Sequence, residues 1–104
     1  MRMYLKIHEV DMKNHIERIV ALCDKELIGK KLRDGNLRLN VNPRFYKGEL
    51  ADTDSIKDAF KIATIANIVG EKSIALALKE GVIKKENIIR ISGVPHAQMV
   101  MIEE

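Results

Sequence analysis

The sequence predicts an α+β fold: a small mixed or mainly antiparallel sheet of about five strands, in the order β-β-β-α-α-β-β, covered on one face by an αα-hairpin. Three observations predict it. Alternating apolar and polar residues open the chain, apolar residues at three- and four-residue spacing fill its middle, two short strand-like apolar runs close it, and no repeat or linker interrupts them. At 104 residues the chain suits one compact domain, read as residues 1–104, and is too short for two separate cores.

In "MYLKIHEV" Met3, Leu5 and Ile7 can line one face of a strand over residues 3–8 while Tyr4, Lys6 and His8 line the other. After the polar turn "DMKN", the run "HIERIVALCD" supplies an antiparallel partner over 16–22, so the chain begins with a hairpin. Asp34-Gly35 and Gly35-Asn36 are turn dipeptides. Leu37, Leu39 and Val41 then alternate with Arg38 and Asn40 as in a half-buried strand that Pro43 ends. "RFYKGELADTD" reads as a surface loop of about ten residues.

Thr53, Asp54 or Ser55 can cap a helix, with Asp58 at capping-box spacing from Ser55. Ile56, Ala59, Phe60, Ala63 and Ala66 recur at helical spacing, and Ile62, Ile65 and Val69 widen the stripe into a largely buried helix. Gly70 breaks it. Glu71 then suits the positive end of a second helix with Ile74, Ala75 and Leu78 on its apolar face, and Gly81-Val82 has the form of a Schellman stop. Residues 54–81 thus read as the αα-hairpin. "NIIRI" and "AQMVMI" give two last strands, parted by Ser92-Gly93-Val94-Pro95.

The chain is 46% apolar with 4% aromatics and no Trp, so its core must be aliphatic. One cysteine, Cys23, excludes an internal disulfide and a cysteine-rich zinc site, and fits a reducing cytoplasm. No run approaches the roughly 18–20 apolar residues that cross a bilayer, and no basic-then-apolar leader opens the chain; a cytoplasmic location follows. The net charge of +3 comes from the first half, where residues 1–52 carry 11 Lys and Arg against 8 acids. Lys30, Lys31, Arg33, Arg38, Arg44 and Lys47 face only Asp34 between residues 30 and 47, with Phe45 and Tyr46 interleaved. Clustered cations neutralise phosphates and exposed rings stack on bases, so this segment is a candidate RNA-binding surface; an ordinary solvated face with Phe45 in the core is the other reading.

His96, set behind Pro95 at the mouth of a strand, is the candidate catalytic residue. Against it stands the reading that His96 and Gln98 tie down a turn by hydrogen bonds. His8 and His15 show no paired spacing, so no metal is expected, and no cofactor is indicated. Gly29-Lys30-Lys31 lacks the flanking residues of a P-loop, and Asp52 and Asp54 beside a helix start are explained by capping. Cys23 reads as a buried thiol. "IANIVGEKSIALAL" has part of a helix-turn-helix pattern but departs from it at Glu71 and Lys79, which favours a structural helix pair.

Taken together, "CDKELIGKKLRDGNLRLNV", "FYKGEL", "ATIANIVGEKSIALALKEGVI" and "ISGVPHAQMV" resemble the archaeal family called domain of unknown function 424, over about residues 4–100. The turn "EVDMKNHIE" is longer and more polar than that family's pattern. The resemblance implies a small archaeal cytoplasmic protein and points toward work with RNA or the ribosome; it assigns no catalytic residue. The matching blocks include Lys30, Gly48, Glu49, Gly70 and Gly93, and imply a shared surface at Asn67, Glu71, Pro95, His96 and Gln98. The leading expectation is a non-enzymatic RNA- or ribonucleoprotein-binding accessory of translation acting through residues 30–47. The alternatives are a small-molecule-binding or hydrolytic enzyme around His96, with Asn67 and Glu71 nearby, and a homo-oligomerisation module pairing through a sheet edge or the helices.

Overall fold

The computed structural model describes residues 2–101. Strands β1 (Met3–Asp11) and β2 (Ile16–Cys23) form the expected hairpin, with Tyr4 opposite Cys23 and Asp11 opposite Ile16. Further along the chain come β3 (Lys31–Asp34), β4 (Leu37–Asn40), α1 (Pro43–Tyr46), β5 (Glu49–Ala51) and α2 (Thr53–Ile62). Then follow β6 (Ile65–Val69), α3 (Glu71–Lys79), β7 (Ile89–Ile91) and β8 (Val94–Val100). The main sheet has six strands in the order β5-β1-β2-β6-β8-β7, all neighbours antiparallel except β2 and β6. β3 and β4 pair separately as a two-stranded ribbon. The class is therefore α+β with a mixed sheet, but the αα-hairpin is absent: a strand stands between α2 and α3.

The first helix ends at Ile62 rather than near residue 69, and Ala63 is already extended at φ −66° and ψ 134°. Ile65–Val69 is the central strand β6, with Ala66, Asn67, Ile68 and Val69 all buried. A strand covered on both faces is apolar at consecutive positions, so its apolar residues also fall at helical spacings. What separates the alternatives is β-branching, and Thr64, Ile65, Ile68 and Val69 favour the strand. Both helices do lie on one face, where Ile56, Phe60, Ile74 and Ala77 pack on Met3, Val20, Leu22, Ala66, Ile68 and Ala97.

The opposite face is covered too, which the sequence does not reveal. Leu27, together with Val41 from the strand expected to be half-buried and Tyr46 from the segment expected to be a surface loop, packs on Ala21, Cys23 and Val69 in a second core. Cys23 has no exposed surface, and burial, with Asp24 and Glu26 nearby, pushes its thiol up to about 12. It is a packing residue, as expected. The loop expected over residues 44–54 is likewise structured. Asn42 caps α1 by accepting from the Arg44 N–H, Pro43 takes the first helical position, and β5 then adds to the edge of β1. Between them Gly48 crosses β1 so closely that a Cβ there would lie 2.0 Å from the Leu5 carbonyl oxygen.

Helix ends are fixed by named groups. Asp52 rather than a later residue caps α2, accepting from the Ser55 N–H at 2.9 Å. At the end of α3 the Val82 N–H donates to Ala77 O and the Gly81 N–H to Leu78 O, the Schellman pattern expected from Gly81-Val82. The start of α3 is capped from far away. Asp24, buried at the end of β2, accepts from the N–H groups of Lys72 and Ser73 and from the Ser73 hydroxyl, at 3.0, 2.8 and 2.7 Å. Gly70 lies against that carboxylate with φ 110°. The closing strands turn at Ser92-Gly93, with φ 51° and 80°, so Val94 and Pro95 belong to β8 and not to the turn. Of "AQMVMI", Ile102 lies outside the described residues. No helix among the described residues is long and apolar enough to cross a membrane.

Candidate nucleic-acid interface

The ribbon is built by the Gly35-Asn36 turn and by alternation. Leu32 faces Leu39 on the inner side, where Leu39 packs on the second core, while Arg33 faces Arg38 and Lys31 faces Asn40 on the outer side. Lys31, Arg33, Arg38 and Asn40 are all exposed, and a shallow hollow of about 330 Å³ at the ribbon is lined by these four together with Leu32 and Leu39. Lys30 precedes them directly. The ribbon is pinned to the β7–β8 turn: the Ser92 hydroxyl donates to the Arg33 carbonyl, and the Ser92 N–H donates to Asp34 Oδ2 at 3.0 Å. The acid of the segment is thus bound to a backbone amide.

Ion pairs among the described residues join Arg18–Glu9, Lys57–Glu80, Lys61–Asp58 and Arg90–Glu71, and His15 hydrogen-bonds Glu17. None involves Lys30, Lys31, Arg33, Arg38, Arg44 or Lys47. The structure divides these six. Arg44 and Lys47 lie in and after α1, which packs on β1 and β2. There Lys6 Nζ donates to the Arg44 carbonyl at 2.6 Å, and Lys47 Nζ stands 6.0 Å from the centre of the Tyr4 ring. The interleaved aromatics are not free: Tyr46 is 4% exposed, with burial pushing its hydroxyl pKa up, and Phe45 is half-buried. The Phe45 ring stacks on His8 at 4.7 Å and 12°, and its carbonyl accepts from His8 Nε2. Asn40, absent from the sequence-based candidates, joins the cations; its place in the alternation of "LRLN" is the signal that finds it.

His96 sits elsewhere. Strand register places Tyr4, Cys23, Val69 and His96 in one row across the sheet and Lys6, Ala21, Asn67 and Gln98 in the next, on the ribbon side. His96 is 8% exposed, and its Nδ1 donates to the Ile68 carbonyl at 3.0 Å, while Gln98 Nε2 donates to Asn67 Oδ1 at 2.7 Å. A hollow of about 280 Å³ beside it is lined by Asn87, Ile89, Ala97 and Gln98. Of the surface the resemblance implied, Asn67, His96 and Gln98 lie on this face, whereas Pro95 and Glu71 lie on the helix side, where Glu71 pairs with Arg90. Glu71 and His96 are therefore not brought together. Among the described residues no group of His, Cys, Asp and Glu is placed to hold a metal.

Burial holds His96 neutral, lowering its pKa below the ordinary 6.5 against a weaker upward pull from its bond to Ile68. The unfolded chain therefore binds more protons than the folded one between pH 6.5 and the lowered value, and stability falls as pH falls through that window. Thermal unfolding measured across mildly acidic pH is expected to show this decline, and His96→Gln to flatten it. An unchanged pH profile in the variant would remove His96 from the account.

Fold and surface together define a small α+β protein in which a mixed sheet carries a cationic ribbon. The family model described as "Protein of unknown function (DUF424)" matches residues 12–102, and the chain belongs to that family. It is similar to an uncharacterized conserved protein from Methanopyrus kandleri, whose crystal structure aligns with TM-score 0.74 and 26% identity, over 100% of this chain and 96% of that one. No curated protein matches it.

Proposed function

We propose that this protein binds RNA without catalysing a reaction on it, as an accessory to a ribonucleoprotein assembly such as the translation apparatus. One observation carries the reading: Lys31, Arg33 and Arg38 project from the outer face of one short ribbon, beside Lys30, with no carboxylate paired to them among the described residues. Arg33 and Arg38 stand directly opposite one another, an arrangement that is unfavourable for like charges until an anion lies between them. The phosphodiester backbone of RNA supplies that anion, and counterion release supplies the affinity.

The test is a fluorescence titration against total RNA at two salt concentrations. With three or four cations engaged, affinity is expected to fall roughly 20- to 150-fold between about 50 and about 200 mM salt. The double variant Arg33→Glu/Arg38→Glu is expected to bind weakly across all sequences and to lower the salt slope by about two, one for each phosphate contact removed. Lys79→Glu on α3, which removes a cation remote from the ribbon, is expected to bind as the parent does. Absence of binding at low salt would end this reading.

A further inference from the structure

We infer that the RNA held by the ribbon is double-helical, gripped through its phosphates and not through its bases. The inference rests on the RNA-binding reading above and names the form of RNA that fits the site. Surfaces for unpaired strands combine cations with aromatic platforms on which successive bases stack, and the stacking supplies much of the affinity. This surface has the first component without the second. The ribbon sequence "KLRDGNLRLN" contains no aromatic residue.

The chain's four Tyr and Phe residues are placed elsewhere. Phe60 is in the helix-side core, Tyr46 in the second core, and Phe45 lies between His8 and the edge of Tyr46, whose ring centre is 4.9 Å away. Tyr4 lies under Lys47 on β1.

With stacking removed, binding depends on the density of phosphate charge, and there the two forms of nucleic acid differ. A duplex presents a charge about every 1.7 Å of its axis, against about 3.4 Å for one of its strands, and it releases more counterions for each cation that contacts it. A duplex is also stiff. A single strand would have to be immobilised against its flexibility with no base contacts to offset that loss. The ribbon is stiff as well, since Ser92 fixes the Arg33 carbonyl and Asp34, so its cations stand ready to meet a regular phosphate ladder. Asn40, beside Lys31, adds a neutral donor of the kind that bonds phosphate oxygens or 2′-hydroxyls across the wide minor groove of A-form RNA.

A short labelled RNA duplex and each of its two strands, unstructured when separated, distinguish the cases by fluorescence anisotropy with the full-length protein. The duplex is expected to bind at least about fivefold more tightly than either strand at low salt, with the steeper salt dependence. Arg33→Glu/Arg38→Glu is expected to abolish the difference, with its circular dichroism matching the parent; if that pair perturbs folding, Arg33→Gln/Arg38→Gln serves instead. Strands that bind as tightly as the duplex, or a folded variant that holds the duplex as the parent does, would overturn the inference. If single strands bind and the duplex does not, the inference fails while the RNA-binding reading stands. If neither binds at low salt, both fail.

Discussion

Replacing Asp24 with alanine is expected to lower the free energy of unfolding by about 2–4 kcal/mol, a large part of the stability of a domain this small. Three donors lose their acceptor at once: the N–H groups of Lys72 and Ser73 and the Ser73 hydroxyl. Ser73 is fully buried, so water does not readily replace the carboxylate there. The first turn of α3 also loses a negative charge at its positive end. Asp24→Asn separates the contributions. It keeps one oxygen for Ser73 but sets an amide N–H₂ against the Lys72 N–H, and roughly 1–2 kcal/mol is expected. Urea titration of the three proteins measures the ranking, and an Asp24→Ala protein within about 0.5 kcal/mol of the parent would contradict this account of the cap.

Gly48→Ala is expected to be equally severe, at about 3 kcal/mol or more, for a different reason. The added Cβ would meet Leu5 O at 2.0 Å, Leu5 C at 2.8 Å and the Lys6 Cα at 2.9 Å. All three are backbone atoms of a paired strand and cannot swing aside as a side chain would. Relief requires the α1–β5 segment to lift from β1, which disturbs the register of Tyr4 with Leu50 and the placement of Tyr46 in the second core. Purified Gly48→Ala is expected to unfold at markedly lower urea, or to accumulate poorly on expression. A loss under about 1 kcal/mol would mean that the crossing is looser than the structure describes.

The opening hairpin, the second helix with its Schellman stop and the closing strands were legible because each is specified by residues close in sequence. β6 was not. Its Ile65, Ala66, Ile68 and Val69 continue the apolar spacing of α2, and the strand that β-branching favours there is decided only by a neighbour on each side. The second core was hidden for a similar reason: Leu27, Val41 and Tyr46 are isolated apolar residues in a charged segment, and their common destination is set by the sheet beneath them. The six cations were legible as a group, but their division into a ribbon set and an α1 set follows from strand pairing. His96 reads from the sequence either as a catalytic candidate or as tying down a turn with Gln98; it lies instead within β8 and bonds across the sheet to Ile68, 28 residues away, a partner with no local signature. Asp24 had none either, since its cap lies 48 and 49 residues ahead.

The place of β6 at the centre of the sheet has a consequence for the protein as it is being made. The chain delivers β1, β2, the ribbon, β5 and α2 before β6, so during synthesis the inner edge of β2 stands bare, its backbone donors and acceptors unpaired. The apolar residues of the hairpin and α2 wait with it, lacking the strand that closes their core. A native hairpin formed before residues 65–69 are available would thus carry an open edge, which closes only when those residues pair in parallel with β2 and β8 covers the other side.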